Sequence, residues 1–152
     1  MPLIRGKLDE GRRILVDIGV QPTLHTPDSV KPEHQPATMH ILPLRGLIDT
    51  GAQVTCITRS AAAAVGLVPR GKRRIGNVST FEMHNAYSFV LGVWHVPVHS
   101  ADGRATGYYQ FEPVYGVDFK DSPDFDVLIG MDIIVRGDLT VYRSGEFIWD
   151  LP

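Results

Sequence analysis

Apolar positions along the chain fall into short runs separated by Gly, Pro, Asn and Asp, the punctuation of a protein built mostly from β-strands. Residues 13–20 are rich in Ile and Val and stop at Gln21-Pro22, which predicts an early strand closed by a turn. Residues 21–37 then carry four prolines and little apolar content. Proline removes a backbone donor and fixes φ, so a long exposed loop is expected there. Residues 39–48 are apolar-rich and run straight into Asp49-Thr50-Gly51, and Val54-Thr55-Cys56-Ile57 resumes β-type residues beyond. Asp49 is therefore placed in a loop between two strands.

Four consecutive alanines, preceded by a Ser60 able to cap and followed by Gly66, predict a short helix over 60–65. Residues 73–89 mix polar and aromatic side chains, with Gly76-Asn77 and Ser79-Thr80 as turn chemistry, and predict a hairpin. A second hairpin is signalled by Ala101-Asp102-Gly103 between residues 90–99 and 106–117. Pro97 and Pro113 push its strands toward a sheet edge. Beyond the 121–124 loop, residues 126–130 read as a buried strand and 131–136 as a helical turn or two. Residues 139–142 and 146–149 form a last hairpin about Ser144-Gly145.

Composition narrows the picture. A chain of 152 residues with 43% apolar content supports one core, so residues 1–152 are read as a single domain. Fifteen basic against seventeen acidic side chains leave a net charge of -2, without a field to steer nucleic acid or an anionic membrane, and neither is expected as a partner. The basic cluster Arg70-Gly71-Lys72-Arg73-Arg74 reads as a solvated loop or edge strand. Cys56 is the only cysteine, which excludes an intrachain disulfide and a thiolate zinc cluster and favours structural burial. No run approaches the roughly 20 apolar residues of a membrane span, so a cytoplasmic protein is expected.

Histidines do not converge. His95 and His99 would lie roughly 13 Å apart along a strand, too far for one ion. His25, His34 and His40 are scattered about the proline-rich stretch, and His84 is read as solvated. Neither a metal nor another cofactor is expected.

Two stretches carry chemistry. An apolar pair followed by Asp, Ser or Thr, and Gly arises by chance in roughly one chain in a hundred of this length, so Leu47-Ile48-Asp49-Thr50-Gly51-Ala52 is suggestive only. The same residues suit an ordinary Asx turn. About eighty residues on, Val127-Leu128-Ile129-Gly130 repeats an apolar run ending in Gly. With the helix after the first element and the helical turn after the second, the chain resembles a retropepsin-type aspartic peptidase over residues 13–150, the proline-rich loop excepted.

The resemblance implies a mostly β, single-lobe acid-protease barrel with one or two short helices, active as a two-fold homodimer. It implies Asp49 as the catalytic carboxylate, Thr50 as a lock between the two active-site loops, and Gly51 as the residue that allows the turn exposing the carboxylate, with Ala52 completing the loop. Leu128, Ile129 and Gly130 are the second element, packed beside that loop. Viral members usually pair an Asp after the Ala with an Arg after the second Gly; here those places hold Gln53 and Met131, so both partners are absent together. In this the chain is similar to the retroviral-protease-like domain of DNA-damage-inducible ubiquitin-shuttle proteins and its bacterial relatives. Residues 73–89 take the place of the substrate-covering flap, with Gly76, Asn77, Val78, Ser79 and Thr80 as candidates for its tip. Terminal strands pair between subunits in retropepsins, which makes Phe147, Ile148 and Trp149 candidates for a dimer strand. Trp149 closing the monomer's own core is the other reading.

Peptide hydrolysis by carboxylates needs two of them sharing a proton. The chain contains one Asp-Thr-Gly and no second, so the expected enzyme is an aspartic endopeptidase acting on extended or unfolded polypeptide through two Asp49 carboxylates of a homodimer. The alternative is a peptide-binding or dimerisation module that keeps the fold without catalysis.

Overall fold

Ile14, Val16, Ile18 and Val20 are buried, while Leu15 and Asp17 between them are less so, and this period of two turns one face of a strand into the core. The computed structural model describes residues 2–23, 41–76, 81–95 and 107–152. Along the chain these form β1 (Leu3–Lys7), β2 (Ile14–Pro22), β3 (Leu42–Ile48), β4 (Cys56–Thr58), α1 (Arg59–Val65), β5 (Lys72–Gly76), β6 (Phe81–His95), β7 (Gly107–Phe119), β8 (Val127–Ile129), α2 (Met131–Ile134), β9 (Asp138–Val141) and β10 (Glu146–Asp150). The protein is mostly β, as expected.

Six strands close into a barrel in the order β2-β3-β8-β4-β7-β6, with β2 returning to β6. Closure satisfies strand edges that would otherwise stay open. β6 is long enough to do two things on one edge: its inner part, Phe89–Val93, pairs with β2, and its outer part pairs with β5 to make a hairpin. β8 lies parallel to β3 and antiparallel to β4. Val127 and Ile129 are fully buried there on one face, and Leu128 on the other is half-buried.

A second sheet, β1-β10-β9, packs on the barrel through Trp149, which stacks on Phe111 of β7 at 5.6 Å between ring centroids. Its indole Nε1–H donates to the carbonyl of Ile134 at 3.3 Å, joining this sheet to α2. No helix among the described residues is long and apolar enough to cross a membrane.

Several expectations are corrected. The first strand runs through Gln21-Pro22 and does not turn there, because Pro22 pairs with Phe89 at the end of the ladder. The proline-rich loop beyond residue 23, Pro97, His99 and the 101–103 turn lie outside the described residues. Pro113 lies in the part of β7 that pairs with β6 alone, since the β4 pairing covers only Val117–Phe119. It is absorbed in a bulge: Phe89 pairs with Val114 and Leu91 with Phe111, so Glu112 and Pro113 together oppose Val90. Helix α1 is capped not by Ser60 but by Thr58, whose Oγ1 accepts from Ala61 N–H at 3.2 Å. Gly66 ends it at φ +80°, as its placement predicts.

Phe147, Ile148 and Trp149 do not offer a free strand. β10 is the middle strand of its sheet, with both hydrogen-bonding edges filled by β1 and β9 of the same chain. Phe147 and Trp149 are 2% and 0% exposed, buried in the chain's own core. Strand β1, which the apolar pattern does not announce, fills the edge: only Ile4 of its five residues is buried.

Candidate active site

The parallel pairing of β3 with β8 runs Leu47 opposite Leu128 and Ile48 opposite Ile129. Asp49 N–H extends it by donating to the Ile129 carbonyl at 2.9 Å, so Asp49 is the first residue beyond the barrel wall. The chain then turns tightly: Gly51 N–H donates to Asp49 Oδ1 at 2.8 Å and Ala52 N–H to the Asp49 carbonyl at 3.2 Å. Asp49 is half-buried, whereas Thr50 and Gly51 are exposed. An Asx turn thus forms, and it aims a carboxylate with one pinned oxygen at the surface.

Gly51 is not there for its φ, since the positive values among the described glycines are at Gly66, Gly71 and Gly145. A Cβ at position 51 would lie 3.2 Å from Asp49 Oδ1. Glycine here leaves the carboxylate uncrowded within the turn.

Gly130 is required by close approach. An added Cβ would sit 2.7 Å from Val54 C, 2.9 Å from Val54 O and 3.0 Å from Thr55 N, all main-chain atoms that cannot move aside cheaply. With no side chain in the way, the start of α2 lies against the Asp49 loop. Met131 N–H donates to the Ala52 carbonyl at 2.8 Å and Asp132 N–H to the Gln53 carbonyl at 3.2 Å. The two places where an ion pair is missing are therefore held together by their main chains. Leu128 and Ile129 pair with β3 just ahead of Asp49, as the second motif element is expected to do.

Thr55, singled out by no motif, is the centre of this bracket. It is fully buried, its Oγ1 accepts from Gly130 N–H at 3.1 Å and donates to Asp132 Oδ1 at 2.7 Å. Its carbonyl accepts from Val117 N–H at 3.3 Å. Asp132 thus braces the loop within the chain, and α2 has no side-chain cap. The signal for Thr55 in the sequence is slight, because a threonine in a β-rich run needs no hydrogen-bonding explanation.

Cys56 follows on β4, half-buried, its Sγ 3.5 Å from the Val54 carbonyl. Burial, with the nearby Asp132, Asp49 and Asp118 carboxylates, pushes its thiol up to about 11. At neutral pH it is a protonated, inert packing group, consistent with a structural role.

Two further features are exposed at the surface. The β5–β6 hairpin reaches Gly76 opposite Phe81 and exposes Phe81 and Met83, with the Arg74 guanidinium 3.7 Å above the Phe81 ring. The other candidates for its tip, Asn77, Val78, Ser79 and Thr80, lie outside the described residues. His84 in this hairpin is not solvated: its side chain is 12% exposed and its Nδ1 meets Asp118. On the other side of the loop a groove of about 570 Å³ runs from Thr50 along Met131, Ile134 and Leu139. Among the described residues, no group of three His, Cys, Asp or Glu side chains is placed to hold a metal ion.

Residues 36–133 match the aspartyl protease family. The chain is also similar to the crystal structure of a retropepsin-like aspartic protease from Rickettsia conorii, with a TM-score of 0.62 over 98% of this chain and 90% of that one. The two are 12% identical, so this likeness establishes the retropepsin-like fold. No curated protein matches in sequence.

Proposed function

Because the chain belongs to the aspartyl protease family, we propose that it is an endopeptidase whose catalytic group is Asp49 and whose working unit is a two-fold homodimer. One observation carries this reading: a lone carboxylate, just outside the barrel, on a loop locked from behind by Gly130, Thr55 and the start of α2. A site built on rigid elements holds a reacting group where a partner group can meet it.

Chemistry supplies the need for a partner. One Asp49 carboxylate takes a proton from water as its oxygen attacks the scissile carbonyl carbon. The other, kept protonated by the like charge beside it, donates to the carbonyl oxygen. Collapse of the tetrahedral adduct moves a proton to the leaving amine and returns the pair to its starting state. The titrations then belong to the pair.

For two Asp49 side chains to share a proton they must meet on a two-fold axis, so Thr50, next in the chain and exposed, lies within the contact. The Thr50 groove, flanked by Val135 at 66% exposure, supplies apolar surface for it. Phe81 and Met83 on the hairpin suit a cover for an extended, partly apolar peptide.

Asp49→Asn tests the reading. Turnover of unfolded protein substrates should fall at least about a thousandfold with the fold unchanged, since acid and base are lost together. Sedimentation of the wild type should show a dimer. Undiminished turnover in Asp49→Asn would falsify the assignment, and peptide binding without turnover in the wild type would support a binding module in its place.

A further inference from the structure

Asp118 is the one charged residue buried in the core among those described, at 3% exposure, and it stands on β7. A carboxylate out of water needs partners. Arg59 Nε, at the start of α1, lies 3.5 Å from Oδ2, and His84 Nδ1 lies 3.2 Å from Oδ1. The same Nδ1 is closer, 2.8 Å, to the Asp118 main-chain oxygen, so the imidazole N–H donates there first. His84 Nε2 faces Glu82 at 3.6 Å.

The place of this contact gives it meaning. The β6–β7 ladder has its last pair at Ala86 opposite Val117. From there outward β6 pairs with β5, while β7 pairs over Val117–Phe119 with β4, the strand that follows Thr55. The hairpin therefore leaves the barrel at Ala86, and its exposed outer part carries Glu82, Phe81 and Met83 in the open. His84 reaches back across that divergence to the strand clamped to the active-site side of the barrel.

We propose that His84 is a positioning residue for peptide cleavage: docked on Asp118, it fixes the angle at which the β5–β6 hairpin leaves the barrel, so that the hairpin is already placed to close on an extended peptide at Asp49. The proposal rests on the peptidase reading. Ordering the hairpin before binding removes a cost that the substrate would otherwise meet, so the anchor acts on binding more than on chemistry.

Two measurements test it on wild type, His84→Ala and His84→Asn, whose Nδ2, two bonds from Cβ as His Nδ1 is, can donate to the Asp118 carbonyl without a ring. In hydrogen exchange without substrate, amides of residues 72–76 and 81–85 should exchange about tenfold faster in His84→Ala, while those of β2 stay as they are. In peptide cleavage, KM should rise about fivefold with kcat within about twofold, and His84→Asn should recover most of both effects. If His84→Ala does not fold, His84→Ser, polar but too short to reach, replaces it. Unchanged hairpin exchange overturns the proposal, and so does faster exchange with an unchanged KM or a failure of His84→Asn to recover. Cleavage abolished by Asp49→Asn yet indifferent to His84→Ala sinks this proposal alone, whereas a wild type that cleaves nothing sinks the peptidase reading with it.

Discussion

The Asp49 loop and the β5–β6 hairpin are held in opposite ways. The loop is tied by five hydrogen bonds to β8 and α2: Asp49 N–H to Ile129, Gly130 N–H to Thr55, Thr55 to Asp132, Met131 N–H to Ala52 and Asp132 N–H to Gln53. The hairpin has its own ladder, an exposed cation–π contact and the His84 anchor. On the proposed reading, the Asp49 carboxylate must not move relative to its partner, while the hairpin must open to admit substrate. Local stability is distributed accordingly, high where bonds overlap and low where a hairpin stands clear of the core.

The sharpest way to break this contrast is Gly130→Ala. Its Cβ would press on the Val54 and Thr55 main chain at 2.7–3.0 Å, and urea unfolding should show a loss of about 3 kcal/mol. Thr55→Val, nearly the same shape, leaves Gly130 N–H and the Asp132 carboxylate without their partner; a loss of about 2 kcal/mol is expected, with a larger proportional fall in kcat than in KM. On the hairpin, Arg74→Gln removes the contact over Phe81 and should cost no more than about 0.5 kcal/mol in the same assay, with any kinetic effect confined to KM. A Thr55→Val protein as stable as wild type, or an Arg74→Gln protein crippled in kcat, would show the two regions to be less distinct than their bonding suggests.

Legibility follows the same division. Asp49-Thr50-Gly51 and Val127–Gly130 were readable because turn chemistry and apolar runs act over a few residues, and Gly66 and the final hairpin for the same reason. Thr55 and His84 were not, because each earns its role from a residue far along the chain: Asp132, 77 positions away, and Asp118, 34 away. The bulge at Pro113 was not readable, because where a strand accommodates a residue without an N–H depends on the register of its neighbour β6. The C-terminal strand was assigned to a partner chain because β1, with one buried side chain, left no pattern to show that the edge beside β10 was already occupied.

By itself, then, the sequence determined a β-rich fold and the loop on which Asp49 stands, since strand periodicity and turn residues are short-range properties. Only the tertiary structure decided that Gly130 must lack a side chain, that Thr55 locks the loop, and that Phe147 and Trp149 serve the chain's own core. Those outcomes depend on which distant backbones approach within 3 or 4 Å, a quantity set by the closure of the barrel as a whole.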